Sequence, residues 1–539
     1  MSKATEMAKV SARGGFNLMW GLVASTVISF VGILAITVIL GDKNYGLYII
    51  AISGPTLIAT FRDWGVNSAI VKYSAQYNVE DKTKIRGIIF AGIVFEIALG
   101  LSLSVLSFAL SPFIASSLHR PTIVPLIQVA SFFVLAGALI NSATAFFTGM
   151  EKMHLYSVVL IVQSIAKTAL IIGLLLSGFG TIGAIWSYTL SALIAGLTGV
   201  ILIWTIYRLL PKENDIQSRA QLFSTVRSML GYGVPVSIGT ILTAFLSAFY
   251  TFVLGIYEPN NALIGDYGLA VSFSVLITFF ATPVTTMLFP AFSKLDYRKD
   301  RDTLKNVFQY SVKYASLIVV PITALVIALA QPGVRTVYHT GYAQAPLYLA
   351  LLAVPYLYAA LGNLSISNLL NGQGFTQMNM WLSVIQVAVG FPVGFVLIWR
   401  FGVLGLIISS LTVGFPSLYV GLRFIKQKFG VSVDWASSVR ILLSSAIAAA
   451  ATYAVISEVP FVTYRFLSVP PQQLIVGFVV FVVVILLAAV ATRTISRSDV
   501  ATLRQIIEGL GPLRGILSFV LNVIEKLMGD SKSSESNSN

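Results

Sequence analysis

Apolar stretches of about twenty residues or more, the length a helix needs to cross a bilayer core roughly 30 Å thick, recur along the whole of this 539-residue chain. The first, Phe16 to Leu40, is too long for a signal-peptide core and has no small-residue cleavage site behind it, so it reads as an uncleaved span. Fifty-six per cent of the residues are hydrophobic and only 10% are charged, against about 25% charged in soluble domains. No soluble fold could bury that much apolar surface. The chain is therefore read span by span, as an all-α integral membrane protein.

Fourteen spans are expected, near 16–40, 46–66, 87–112, 123–148, 155–177, 181–207, 229–255, 267–292, 307–331, 344–371, 378–399, 402–424, 441–462 and 472–492. The basic residues test this map. Of 35 Lys and Arg, 27 fall on alternate connections and in the two end segments, five on the opposite connections (Lys43, Arg120, Arg335, Arg400 and Arg465), and three inside spans. Positive charge collects on the cytoplasmic side, which predicts a multi-pass protein of the cell membrane with both ends cytoplasmic. The net charge of +14 then faces anionic lipid head groups and predicts no nucleic-acid partner. Val500 to Met528 is apolar at helical spacing but broken by Arg504, Glu508, Arg514 and Glu525; it is expected to lie on the membrane, followed by a disordered end.

Two halves repeat at a shift of 222 or 223 residues. Tyr45-Gly46-Leu47-Tyr48 recurs as Tyr267-Gly268-Leu269-Ala270, Gly149 as Gly372, Gln163 as Gln386, Phe179-Gly180 as Phe401-Gly402, and Gly183 as Gly405. Each repeat holds six spans, an even number, so the two share an orientation and are related by an axis along the membrane normal. The predicted plan is a first lobe over 1–210, a second over 211–430, two added spans over 431–492, and a cytoplasmic tail over 493–539. Prolines crowd the second lobe, at 235, 283, 290, 321, 355, 392 and 416, which predicts more bending there; simple tolerance of proline in membrane helices is the competing reading.

Residues 36–75 then carry a pattern: Leu40-Gly41 ends one helix, Tyr45-Gly46-Leu47-Tyr48 opens the next, and Asp63-Trp64-Gly65 and Lys72 follow. With the six-plus-six-plus-two plan, this segment resembles Wzx-type polysaccharide flippases of the multidrug/oligosaccharidyl-lipid/polysaccharide (MOP) exporter superfamily. The resemblance implies a non-enzymatic exporter that moves a lipid-linked oligosaccharide by alternating access. Its polyprenyl- or dolichyl-phosphate tail would stay in the bilayer while the glycan and phosphate pass between two lobes. Membrane lipids and glycan-assembly enzymes are the implied partners; no cofactor is implied. A phosphate in low dielectric needs charge-assisted donors in place of its water.

Charged groups inside membrane helices cost roughly 2.5–3.5 kcal/mol on insertion scales and mark function by default. Lys167 is the deepest cation, twelve residues beyond Leu155 and so about 18 Å along its helix. Gln163 precedes it by one turn. Lys167 is a candidate cargo contact, with a structural ion pair to Glu96 as the competing role. Arg62 and Lys313 lie within about two turns of the cytoplasmic surface, where snorkelling competes with cargo binding. Gln386 could donate to sugars; so could Asn363, Asn368 and Asn371, although interhelical hydrogen bonding suits these amides better. Glu96 and Asp63 are the buried carboxylates expected to couple an ion or pair with a cation.

Other signals lead elsewhere. The GFGTIG turn at 178–183 follows no strand, so it is no dinucleotide site. The sequence has no Walker A motif and no cysteine, and its three histidines fall in separate loops, so no metal site is expected. A MATE-like drug or cation antiporter would use an acidic site and usually twelve spans. A membrane glycosyltransferase or glycan polymerase would need a positioned acid or base on a large outer loop, and none is legible.

Overall fold

The computed structural model describes the backbone of residues 3–211, 219–339, 341–458, 472–496 and 499–500, with scattered positions between 504 and 526; side chains are described from Trp20 onward, apart from 219–220 and 282–291. Among these residues the secondary structure is helical, with no strand. Sixteen α-helices run α1 (Lys3–Ala59), α2 (Val66–Glu80), α3 (Lys82–Ala109), α4 (Ser111–Ser117), α5 (Val124–Gly149), α6 (Met153–Leu176), α7 (Gly180–Leu209), α8 (Arg219–Tyr257), α9 (Asn261–Ser293), α10 (Arg301–Tyr338), α11 (Ala345–Ala353), α12 (Asn363–Gly372), α13 (Thr376–Thr412), α14 (Gly414–Phe429), α15 (Trp435–Glu458) and α16 (Gln472–Ala491). The expected tail helix lies largely outside the described residues, as do Pro283 and Pro290 as regards their side chains.

Among the described residues, eleven helices are long and apolar enough to cross a membrane, or twelve if the bent pair Ala345–Leu361 and Asn363–Gly372 forms one span. Fourteen were expected. The difference lies in two elements of 40 and 54 residues, Trp20–Ala59 and Thr376–Phe429, each of which contains a glycine off the helical backbone: Gly41 at φ 70°, ψ 175° and Gly402 at φ 55°, ψ −127°. Large apolar side chains face outward along the molecule, as a lipid-exposed surface requires: Leu176 is 73% exposed, and Phe113, Phe179, Trp399 and Ile475 also stand out.

The sequence repeat reappears in backbone detail. Gly149 and Gly372 each close a helix. After Gly149, the Met150 N–H donates to Phe146 O (2.9 Å) and the Lys152 N–H to Phe147 O (2.8 Å); 223 residues on, Gln373 donates to Leu369 O (3.0 Å) and Phe375 to Leu370 O (2.7 Å). These bonds satisfy carbonyls that a helix end leaves open. Gly180 and Gly402 share φ 55°.

The chain forms two compact units. Unit 1 comprises residues 1–272, 341–345 and 376–420. Within it α1 packs on α6, and α5 on α3 and α7. Small residues let these backbones close: Gly196 lies under Leu139, Gly199 under Ala143 and Gly100 under Ala138. Membrane helices gain no hydrophobic drive from lipid and associate through such close packing. Val66, Ile70, Ile85, Phe146, Phe147, Val159 and Ile203 fill its core. Unit 2 comprises residues 273–340, 346–375 and 421–539. There α10 packs against α15 and the 3-10 segment Val354–Leu361, and α15 against α16, with Val319, Val320, Ala353, Ala360 and Ile441 between them.

Candidate functional site

Four of the five charges expected inside spans, Arg62, Asp63, Glu96 and Lys167, fall in unit 1, and the turn from α1 into α2 begins their arrangement. Gly65 sits at φ 84° directly against the backbone of Gly233, where no side chain would fit. This left-handed residue lets the chain reverse into α2. Asp63 Oδ1 accepts the Gly65 N–H at 2.8 Å and the Asn67 N–H at 3.5 Å, so this carboxylate serves the open amides at the start of α2.

Arg62 turns the other way. Its Nη1 donates to Val134 O at 3.2 Å, and the guanidinium occupies space left by Gly137 on α5. Its Nε has no partner among the described residues. Glu96, on α3, is fully buried. One of its oxygens accepts from Asn67 Nδ2 at 3.1 Å and the other has no described partner. Asn67 thus joins the backbone capped by Asp63 to the Glu96 carboxylate. The expected alternative of a Lys167–Glu96 ion pair is not what the described residues form.

Lys167 instead lies over the Tyr188 ring, with Nζ 5.5 Å from the centroid, within the reach of a cation–π attraction. The rotation of α6 has a visible cause: Ser164 meets Ser29 at 3.0 Å, and the Thr168 hydroxyl donates to Ile28 O at 2.9 Å. Gln163 and Lys167 each precede one of those anchors by one residue, so they face about 100° away from the α1 contact. Tyr188 stacks on Phe133 at 4.3 Å and meets Tyr48 edge-on at 6.3 Å. Tyr48 stacks on Tyr45, whose hydroxyl is 3.2 Å from that of Ser272. The two copies of the Tyr-Gly-Leu motif pack on one another here: Gly46 abuts the Asn261 backbone, and Gly268 abuts Ile49 and the Tyr45 ring.

Gln386 lies elsewhere in unit 1, lining a hollow of about 200 Å³ with Thr243, Tyr250, Tyr267, Ser409 and Ser410. Lys313 belongs to unit 2. Its Nζ is 2.6 Å from Asp499 Oδ2, and Asp499 also accepts from the backbone and hydroxyl of Ser496. Sequence reasoning did not find Asp499 as a partner, nor Asn67 and the Tyr48–Tyr188–Phe133 cluster. It also named too few buried carboxylates: Asp266 is only 3% exposed, with Oδ2 accepting the Gln344 N–H at 3.2 Å and Oδ1 without a described partner, whereas Asp63 is half-buried. Among the described residues, no group of three or more His, Cys, Asp or Glu could hold a metal ion.

Residues 11–296 match the model of a family described as polysaccharide biosynthesis protein. The chain is 24% identical over 408 residues to an uncharacterised membrane protein of Methanocaldococcus jannaschii, covering 72% of this chain and 92% of that one. It is 21% identical over 377 residues to the lipopolysaccharide biosynthesis protein WzxC of Escherichia coli, covering 69% and 73%. Among solved structures it is similar to the lipid II flippase MurJ in an inward closed conformation, with a TM-score of 0.65, 15% identity and coverage of 88% and 98%. It is also similar to an inward-facing MATE family multidrug transporter of the MOP superfamily, with a TM-score of 0.59, 15% identity and coverage of 75% and 94%. At these identities the structural likeness is one of fold.

Proposed function

The chain belongs to the polysaccharide biosynthesis protein family, whose model it matches over more than half its length, and on that footing we propose that it exports a lipid-linked oligosaccharide of the polyprenyl- or dolichyl-phosphate type across the cytoplasmic membrane by alternating access. Its fold is that of the MOP exporters. The finer reading of the cargo is carried by one observation: Lys167, inside a membrane helix, has an aromatic ring beside it and no carboxylate partner among the described residues. A lone cation is costly in a bilayer, and an arriving phosphate would offset that cost with charge-assisted hydrogen bonds. Gln163 on the same face adds a neutral donor, and Arg62 retains an unused Nε–H.

In this reading the two lobes are 1–210 and 211–430, both ends are cytoplasmic, and the elements bent at Gly41 and Gly402 each cross twice. The pairing of Lys313 with Asp499 makes it a weaker candidate for cargo than Lys167 and Arg62. Glu96 and Asp63 remain the groups proposed to respond to ion movement. The experiment is flipping of a fluorescent lipid-linked oligosaccharide in reconstituted vesicles. Lys167→Ala should cut the rate by tenfold or more, about 1.4 kcal/mol, while protein yield and melting hold. Wild-type flipping in that variant would remove Lys167 from the mechanism.

A further inference from the structure

A second polar feature of unit 1 is not used by the cationic path. Asn141, Thr144 and Thr148 stand at spacings of three and four on α5, so they share one helix face. Asp63 and Asn67, four apart, face them from the start of α2, and Tyr156 completes the wall from α6. Together these groups line an open hollow of about 280 Å³.

Its hydrogen-bonding capacity is unequal. The Thr144 hydroxyl donates to Ile140 O at 3.0 Å and the Thr148 hydroxyl to Thr144 O at 2.7 Å, so both protons are committed and only lone pairs face outward. Asn67 is 9% exposed; its Nδ2 donates to Glu96, and its Oδ1 is buried without a partner among the described residues. Asp63 is an acceptor with one oxygen engaged by backbone. Asn141 and Tyr156 bring donors, as does the Ser68 hydroxyl, which lies 3.3 Å from that of Ser237. The lone pairs of Thr144 and Thr148 and the second oxygen of Asp63 can each accept a hydrogen, so a ligand with several hydrogens to give suits this wall.

This pattern selects among ligands. Phosphate offers only acceptors and would meet the Asp63 charge. A bare cation needs a close oxygen cage, which this open hollow does not form. We propose that it binds a neutral sugar ring through the ring's hydroxyl groups, as the docking site for a hexose of the transported glycan. The assignment rests on the cargo reading above and adds a division of labour to it: the charged part of the cargo goes to Lys167 and Arg62, and a sugar goes to the Asp63–Asn141–Thr144 wall. Arg62 and Asp63, adjacent in sequence, then serve different parts of one molecule.

The test is saturation-transfer NMR on the full chain in lipid nanodiscs, with glucose, galactose and N-acetylglucosamine at millimolar concentration, and glucose 6-phosphate as the anionic probe. At least one neutral sugar should receive saturation at its ring protons. That signal should fall severalfold in Asn141→Leu/Thr144→Val, and hold in Thr198→Val, which alters a hydroxyl similarly bonded to its own helix but outside the hollow. If the double variant fails to fold, the single change Thr148→Val should still weaken the signal. No transfer to any neutral sugar, equal transfer in wild type and variants, stronger transfer to the sugar phosphate, or displacement of sugar by sodium but not potassium would each overturn the proposal. Lys167-dependent flipping without sugar transfer would sink this site and leave the cargo reading standing; sugar transfer without flipping of any lipid-linked glycan would do the reverse.

Discussion

Asp499 and Lys313 are 186 residues apart in sequence, and their pairing turns a lone membrane cation into one that is neutralised within unit 2. Burial alone would raise the Asp499 carboxyl, but hydrogen bonds from Lys313 and Ser496 outweigh it and hold the group below the ordinary carboxylate value. A carboxylate depressed in the folded state adds stability above its unfolded pKa, about 3.9, and that stability is lost as the pH falls from there through the folded value. Acidification below about pH 4 should therefore loosen wild-type unit 2, read as faster proteolysis of the α10 and C-terminal segments. Asp499→Leu should be loose already at neutral pH, by about 3–5 kcal/mol for a buried charge left unpaired. Equal acid sensitivity in wild type and variant would show that the pair is not responsible. The composition of each span made Lys313 visible as an intramembrane charge, but nothing local to it could reveal Asp499. The polar stripe on α5 is the opposite case, since its spacing of three and four was present in the sequence and was obscured by the apolar residues around it.

At the scale of elements, the glycines decide where long helices stop being single helices. Gly41 has φ 70° and ψ 175°, a region closed to residues with a side chain at a cost of about 1–3 kcal/mol. A methyl group there would meet nothing within 4 Å, so the cost would be conformational and not steric. Gly173 on α6 also has open space around it but lies in ordinary helix. Gly41→Ala should therefore lower the midpoint of thermal unfolding in detergent, while Gly173→Ala should leave it unchanged or raise it slightly, since alanine favours a helix over glycine by roughly 0.5–1 kcal/mol. Equal losses in both would mean that Gly41 is not a conformational requirement. Helix type and the repeated ends at Gly149 and Gly372 were legible because they depend on local sequence. The continuity of helix on both sides of Gly41 and of Gly402 was not, because the polar residues at each break, Asp42-Lys43-Asn44 and Arg400, read as a loop, whereas the backbone leaves the helix at a single residue. The end of α8 shows the same limit: Arg120, read only as an outer-loop charge, donates to Gly255 O at 2.6 Å, Glu258 O at 2.7 Å and Asn261 Oδ1 at 2.9 Å. It serves carbonyls around the end of a helix that begins a hundred residues later in the chain.

For the whole molecule, the distribution of charge ties the span count to orientation, because adding or removing a single span would put the basic connections on both sides. The sequence contains no cysteine, so one introduced thiol reports its side of the membrane without background. Thr122 and Asn260 lie on connections with few basic residues, whereas Lys84 and Lys299 lie on basic ones, and all four are exposed in the structure. A membrane-impermeant maleimide applied to intact cells should label Thr122→Cys and Asn260→Cys and should reach Lys84→Cys and Lys299→Cys only after permeabilisation. The pairs are informative together. Thr122 lies between the third and fourth expected spans and Asn260 between the seventh and eighth, so their common labelling requires an even number of crossings between them. Lys299, one expected span beyond Asn260, must then be protected. Labelling of Thr122 and Asn260 on opposite sides would break the six-span repeat, and reversal of all four would keep the repeat but turn the protein over in the membrane. Only the predicted pattern places Lys167 and the polar hollow near α2 on a path that is loaded from the cytoplasm.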